Sequence, residues 1–319
     1  MINRLDKLSV NMVINKKLKL HIPMFDELWY RQKLIQDVKT MSYNKGYDIS
    51  FEGDHKDTGC IDFPKESWQE WFEYFINKEP ERFYAYIVRL EDDTFIGEVN
   101  IHKSHGEPWH EMGIVLEAKY RCQGYATEAL NLLLTHAFNK LNITAIHNSF
   151  EEMRTAAVYT HLSAGFTEYH RENGLLEVLI TKVQWIQKNA ELGNADCQYQ
   201  LAMMYIYGND VPEDNTLAFN LLKKASAQNH IEATYNLAIC YHYGHGTEID
   251  LKTAFQLYLN CANAGYGKGM VLIGRFYNRG IYVSRDCKKA EYWLNKALQS
   301  DDVDAVNKAR IEFEYTDFV

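Results

Sequence analysis

The segment from Tyr120 to Leu130, YRCQGYATEAL, organises the N-terminal half of this chain. A short β-branched run before it, Gly113 to Leu116, predicts a buried strand, and the leucines after it recur at helical spacing. A strand, a tight turn and a helix start together present unpaired backbone N–H groups and the positive end of a helix dipole. Gly124 lets an anion approach the backbone closely, Ala126 has a methyl group too small to block it, and Arg121 adds a positive charge. The segment therefore predicts a phosphate cradle.

Length and composition indicate a globular protein of about two domains. The 319 residues are 46% hydrophobic and 24% charged. Their net charge of −9 argues against a general binder of nucleic acid or acidic membranes, and it permits cationic partners. No run is long and apolar enough to span a membrane, the first 20 residues lack a signal-peptide core, and the six cysteines form no C-x-x-C pair. We therefore expect a cytoplasmic protein without a metal site, whose cysteines are small buried hydrophobes.

Strand and helix patterns around the cradle predict both strands and helices in this half of the chain. Three successive strands before the cradle form an antiparallel meander: Arg82–Leu90, Thr94–His102 and Trp109–Leu116. The other predicted elements are a strand at Lys16–Pro23, helices at Met24–Thr40 and Pro64–Ile76, a strand at Thr144–Phe150, a helix at Glu151–Ala164 and a hairpin of Phe166–His170 with Leu175–Lys182.

Residues 16–183 resemble a GNAT-type N-acetyltransferase. The motif Arg/Gln-x-x-Gly-x-Gly/Ala is present as Arg121, Gly124 and Ala126, and the downstream helix ends in Gly165-Phe166, as is typical of the family. The order and spacing of the elements also fit. The resemblance implies the GNAT fold, which is an α/β fold of the α+β type with a mixed, mostly antiparallel sheet flanked by helices. It also implies acetyl-CoA as co-substrate and transfer of the acetyl group to a primary amine by direct attack.

The resemblance also implies which residues hold acetyl-CoA. The strand backbone would pair with the pantetheine arm like an extra strand, and one N–H there would meet the thioester oxygen. The turn and the helix start would hold the pyrophosphate. Arg154 stands where the family often has Asn, and it could still meet a phosphate or pantetheine oxygen. The other implied cofactor-binding residues are Ile114, Val115, Leu116, Arg121, Cys122, Gln123, Gly124, Tyr125, Ala126 and Thr127.

Candidate catalytic residues follow from the same resemblance. His161 occupies the position where the family often has Tyr; as an imidazolium it could protonate the thiolate of coenzyme A, or it could simply pack on its helix. Tyr159 is the weaker acid candidate. The Glu-x-Gly run that begins at Glu111 resembles one that many GNAT enzymes keep on this strand. The base hypothesis is Glu111 or His110, with help from Glu98, although polar residues near a turn commonly lie at the surface.

From Gln184 onward, strands give way to a helical repeat with a period of 36 residues. Each unit is expected to form a helix, a Gly turn and a second helix capped by Asp, and the units are expected to stack into a solenoid. The fragments L-A-x-x-Y-x-x-G and D-x-x-x-A resemble Sel-like repeats, which are relatives of tetratricopeptide repeats. The predicted domains are 1–184 and 185–319, with repeats near 193–228, 229–264 and 265–300 and a capping helix at 301–314. The aligned residues are Tyr205, Tyr241 and Tyr277; Gly208, Gly244 and Gly280; and Asp214, Asp250 and Asp286.

Two functions are compatible with these patterns. The first is an acetyl-CoA-dependent N-acetyltransferase whose acceptor is a small-molecule or peptide amine, with the repeats binding a protein partner, forming a homodimer or walling the acceptor site. The second is an acyl-CoA-binding adaptor with a catalytically weak acetyltransferase fold. Neither involves nucleic acid or a membrane. An acidic stretch could attract a cationic amine or could be a solvated face: Asp48, Glu52, Asp54 and Asp57.

Overall fold

The computed structural model describes residues 17–46 and 53–314. The chain divides into two compact units between Lys182 and Val183. Within the described residues, no helix combines the length and the apolar character that a membrane span requires.

The first unit is built on a seven-stranded sheet with the order β1-β4-β5-β6-β7-β9-β8, and β2 and β3 form a separate hairpin. All neighbouring strands are antiparallel except β6 and β7, which are parallel. The predicted meander and the predicted mixed, mostly antiparallel sheet are therefore confirmed. The strands are β1 Leu18–His21, β2 Asp54–His55, β3 Cys60–Ile61, β4 Arg82–Arg89, β5 Thr94–Lys103, β6 His110–Leu116, β7 Ala145–Glu151, β8 Thr167–Glu172 and β9 Leu175–Thr181.

The helices of this unit differ from the sequence predictions at three places. The helix predicted over Pro64–Ile76 begins with a 3-10 turn at Lys65–Ser67 and becomes α-helical only at Trp68. The helix predicted over Met24–Thr40 is broken at Asp37, whose carboxylate accepts the backbone N–H of Thr40 and so caps a new helix. The helix predicted from Glu151 begins later, because Glu151 still pairs with Leu175 as the last residue of β7. The helices are α1 Leu28–Gln36, α2 Val38–Met41, α3 Trp68–Phe75, α4 Tyr125–Asn139 and α5 Thr155–Ala164.

The two faces of the sheet have different chemistry. Strand alternation places one set of apolar residues on the face that packs against α4, whose Leu130, Leu133 and Leu134 are fully buried. The other face lies under α1 and α3 and carries polar and aromatic side chains. Cross-strand pairing places the following residues of this face together: Arg82, Tyr84 and Tyr86 of β4, Glu98, Asn100 and His102 of β5, and Glu111, Gly113 and Val115 of β6.

The second unit is a stack of helix pairs. In each pair the first helix ends at a left-handed glycine, and the second begins at an aspartate whose carboxylate accepts a backbone N–H. These are the aligned glycines and aspartates of the sequence repeat, so the predicted turn and cap are confirmed. The helices are α6 Lys182–Glu191, α7 Ala195–Tyr207, α8 Asn215–Ser226, α9 Ile231–Tyr243, α10 Leu251–Asn263, α11 Gly267–Arg279, α12 Cys287–Leu298 and α13 Val303–Glu314.

We expect Gly246→Ala to destabilise this unit more than Gly193→Ala does. Both glycines have positive φ, but a Cβ on Gly246 would lie 2.0 Å from the carbonyl oxygen of Asn215, whereas a Cβ on Gly193 would meet nothing within 4 Å. Both variants carry the backbone strain, and only Gly246→Ala adds overpacking, of about 1–3 kcal/mol. Urea unfolding followed by circular dichroism measures the difference. Equal effects would contradict the packing of α8 against the turn that follows α9.

Candidate active site

Strands β6 and β7 pair only at one end. Within the described residues their ladder consists of His110 with Ile146 and Glu111 with His147. Beyond these pairs β6 stays bonded to β5, and β7 stays bonded to β9. We call the gap between residues 112–116 and residues 148–151 the fork. The β6 backbone that faces the fork can hydrogen-bond an extended chain, as the edge of a sheet can.

The mouth of the fork leads into the turn before α4. Cys122 and Gly124 both have positive φ, of 59° and 82°, and α4 begins directly afterwards at Tyr125. A Cβ on Gly124 would meet nothing within 4 Å, so the space in front of the first helical turn is open. Cys122 is exposed, contrary to the expectation of a buried cysteine. The first N–H groups of α4 have no carbonyl partner within the helix, so they can receive an anion here.

The two arginines predicted to meet phosphate both contact the segment around α2. Arg121 donates to the carbonyl oxygen of Thr40, whose hydroxyl accepts the backbone N–H of Ala118 at 3.0 Å. Arg154 donates to the carbonyl oxygen of Tyr43 at 2.9 Å and forms an ion pair with Glu151. The guanidinium group of Arg121 is therefore held beside the turn, and that of Arg154 beside the start of α5. Contact of either group with phosphate remains a prediction.

Glu98 is held in a buried ion pair. Its carboxylate accepts from Arg31 at 2.5 Å and from the hydroxyl of Tyr84, and the residue is 4% exposed. The guanidinium of Arg31 lies 4.7 Å from the ring centroid of Trp71. Burial and the Glu98 charge raise the pKa of Tyr84 well above its usual value. Because both oxygens of Glu98 are occupied, its geometry supports a role in joining α1 to the sheet better than the predicted help to a base.

The two base candidates point in different directions. His110 and Glu111 are successive residues of β6, so they lie on opposite faces of the sheet. Glu111 lies on the polar face, where its carboxylate accepts from the indole N–H of Trp109 at 3.0 Å and lies 3.0 Å from Nδ1 of His147. Burial lowers the pKa of His110. The geometry favours Glu111 as the base at the closed end of the fork.

Comparison with known proteins matches two parts of the chain to two families. Residues 26–167 match the acetyltransferase (GNAT) domain, and residues 195–230, 231–266 and 267–302 each match the Sel1 repeat. The chain carries a GNAT acetyltransferase domain followed by three Sel1 repeats. The resemblance inferred from the cradle motif and from the 36-residue period is therefore confirmed.

Two curated relatives each match part of the chain. The uncharacterized N-acetyltransferase YnaD of Bacillus subtilis is 32% identical over 60 residues, which are 19% of this chain and 35% of YnaD. The chitin synthase regulator SKT5 of Saccharomyces cerevisiae is 32% identical over 149 residues, which are 44% of this chain and 21% of SKT5. The chain thus spans about a third and a fifth of the length of these relatives.

Solved structures of both families are also similar. The spermidine N-acetyltransferase of Vibrio cholerae, in complex with CoA and spermine, is 18% identical, with a TM-score of 0.43 over 54% of this chain and 99% of that chain. A Sel1 repeat protein from Oxalobacter formigenes is 26% identical, with a TM-score of 0.36 over 39% of this chain and 94% of that chain.

Within the GNAT domain, His161 is a core residue, and its geometry does not support the predicted acid role. The ring is 2% exposed between Phe150 and Phe166. Nδ1 donates to the carbonyl oxygen of Ala157 at 2.8 Å, and Nε2 accepts from the amide of Asn148 at 2.9 Å. Burial lowers the pKa of His161, so the ring is neutral and holds its one proton in the core.

We expect His161→Ala to lower the free energy of unfolding by about 2–4 kcal/mol, because it leaves a cavity and an unpaired Asn148 amide. Since the folded state favours the neutral ring, wild-type stability falls as pH drops below about 6.5, and the difference from the variant narrows there. Urea unfolding at several pH values measures both effects. A lowered kcat with unchanged stability would contradict the core assignment.

The structure adds one site residue that the sequence did not indicate. His147 lies in the strand predicted over Thr144–Phe150, and the parallel pairing of β6 and β7 brings it to Glu111. Its proximity to Glu111 depends on the parallel register of β6 and β7, which local sequence patterns do not encode. In the acidic stretch, Asp48 and Glu52 lie outside the described residues, while Asp57 is exposed beside β2.

Proposed function

We propose that the GNAT domain transfers the acetyl group of acetyl-CoA to a primary amine by direct attack. The observation that carries this proposal is the fork between β6 and β7. It is closed by Glu111 and His147 at one end, and it opens towards the first turn of α4 at the other. This arrangement supports an anion site at one end of the slot and a base at the other.

The length of the slot suits an extended acyl-pantetheine arm. The five residue steps from Leu116 back to Glu111 span about 17 Å of strand. In this proposal the pyrophosphate lies on the N–H groups from Arg121 to Thr127, and the pantetheine amides pair with the backbone of Ile114, Val115 and Leu116. The thioester then reaches Gly113, beside Glu111. One β6 N–H there would stabilise the oxyanion that develops on the thioester carbonyl.

Glu111 supplies the base in this scheme. An amine acceptor arrives as an ammonium ion, which must lose a proton before its nitrogen has a lone pair for attack. Glu111 is half-buried, ionisable and on the polar face of the sheet. The amine then attacks the thioester carbonyl, and coenzyme A leaves as the thiolate. We propose a small-molecule or peptide amine as the acceptor, without nucleic acid or a membrane surface.

We propose that the Sel1 repeats bind a protein partner or a second copy of the chain. Their first helices carry aromatic side chains that are not used in the repeat core. Tyr207 and Tyr243, at equivalent positions of successive repeats, are 66% and 54% exposed. Exposed tyrosines are frequent anchors of protein interfaces.

The second candidate function is an acyl-CoA-binding adaptor that turns over weakly. The observation in its favour is the burial of His161, which leaves no acid at the position where the family often has Tyr. Release of free thiol from acetyl-CoA, measured with the full chain across a panel of primary amines, separates the two functions. Amine-dependent release supports the transferase. Acetyl-CoA binding without release on any amine would overturn it in favour of the adaptor.

A further inference from the structure

His147 lies between two carboxylates at the closed end of the fork. Its Nδ1 is 3.0 Å from both carboxylate oxygens of Glu111, and its Nε2 is 3.4 Å from Oε2 of Glu177 on β9. The ring is 6% exposed and stacks on Trp109 with a centroid distance of 5.1 Å. Tyr169 of β8 closes the cluster, with its ring edge-on to His147 at 6.1 Å.

The two ring nitrogens of His147 face groups that can only accept hydrogen bonds. A neutral imidazole carries one N–H, so it can satisfy Glu111 or Glu177 but not both. The protonated ring carries two N–H groups and satisfies both carboxylates. Among the described residues, Nε2 is a buried atom without a hydrogen-bond partner at normal distance. The cluster is therefore built to accept one more proton.

We propose that His147 is a positioning residue that receives, through Glu111, the proton released by the acceptor ammonium. This inference rests on the proposed acetyltransferase function. The ammonium N–H bond breaks as an O–H bond forms on Glu111, and the amine keeps the electron pair for attack. The proton then moves from Glu111 to Nδ1 of the neutral His147 ring, which carries its own proton on Nε2, 3.4 Å from Oε2 of Glu177. The product is an imidazolium held between two carboxylates, and Glu111 is again ionised.

The surroundings of the cluster favour this destination for the proton. Titratable and charged groups face the cluster from three neighbouring strands: His102 of β5 is the cross-strand partner of Glu111, Arg82 of β4 is the partner of His102, and His170 of β8 is the partner of Glu177. Burial and the charge of Arg82 lower the pKa of His102, so His102 is neutral near pH 7 and does not compete as a cation. Glu111 and Glu177 are then the charges nearest to the His147 ring.

The pH profile of kcat/KM tests the relay. Glu177→Gln removes one of the two carboxylates that stabilise the imidazolium, so the acidic limb of the profile moves to lower pH, by about one unit. His147→Gln removes the relay, so kcat falls by about 100-fold and the KM for acetyl-CoA stays unchanged. His136→Gln is the matched control. His136 also pairs with a carboxylate, Glu79 at 3.0 Å, and stacks on a ring, Phe83, but it lies on α4 away from the fork.

The outcomes separate this inference from the proposed function. The relay is supported if the wild type turns over, the acidic limb of the Glu177→Gln pH profile lies at lower pH than that of the wild type, and the acidic limb of the His136→Gln profile does not move. If the wild type turns over and the pH profiles of Glu177→Gln and wild type coincide, the relay is overturned, and the proposed transferase function still stands. Absence of turnover by wild type on every amine overturns both. Because Glu177→Gln does not alter the buried ring itself, the test holds even if His147→Gln fails to fold.

Discussion

Gly124→Glu is expected to abolish binding of acetyl-CoA to the full chain. The variant places a carboxylate in the open space before the first turn of α4, where the proposal places the pyrophosphate. A carboxylate there repels the pyrophosphate and occupies the N–H groups that would bind it. Isothermal titration calorimetry should detect a loss of affinity of at least 100-fold, since several charge-assisted hydrogen bonds of about 1.5–3 kcal/mol each are lost.

Gly174→Glu is the matched control for this variant. Gly174 lies in the β8–β9 turn, has φ of +79°, and would carry a Cβ with nothing within 4 Å, as Gly124 would. The control therefore introduces the same charge and the same backbone strain at another turn of the same unit. Unchanged acetyl-CoA affinity in Gly124→Glu, or equal losses in the two variants, would contradict the cradle.

The second large effect is expected for Glu111→Gln, which should lower kcat by about 10²–10⁴-fold. The amide keeps the size of the side chain but cannot accept the ammonium proton. Affinity for acetyl-CoA should change little, because backbone groups of the fork and the turn supply the proposed binding. Steady-state rates with a saturating amine and calorimetry with acetyl-CoA measure the two quantities separately.

Two further variants show whether this effect is specific. Glu172→Gln removes an exposed carboxylate of β8, which contacts His170, and should leave kcat near the wild-type value. His110→Gln changes the neighbouring base candidate on the opposite face and should lower kcat far less than Glu111→Gln does. If His110→Gln produced the larger loss, the assignment of the base to Glu111 would be wrong.

Local chemistry in the sequence was enough to predict the architecture of both units. A turn that contains Gly124, placed between a β-branched run and a leucine-rich helix, has few structural alternatives. The aligned glycines and aspartates of the repeats predicted helix ends and helix starts, because each acts on its own neighbouring backbone. Asp250, for example, accepts the N–H of Thr253, three residues away.

The details of the site depend on contacts that no local pattern encodes. Glu111 and His147 are separated by 36 residues, including all of α4, and they meet only through the parallel register of β6 and β7. His161 was predicted from a family position, but its role depends on the ring cluster around it and on the Asn148 amide across from it. Glu98 likewise could be taken for a free carboxylate until its partner Arg31, 67 residues away, was placed.

Mass spectrometry with isotopically labelled acetyl-CoA tests the central claim most directly. The full chain is incubated with labelled acetyl-CoA and a panel of primary amines, and the amine products and the intact protein are both weighed. Direct transfer predicts that an amine gains the labelled acetyl group, that Glu111→Gln largely abolishes this product, and that the protein mass stays unchanged. A labelled protein would contradict direct attack, and bound acetyl-CoA without any labelled amine would contradict the transferase function itself.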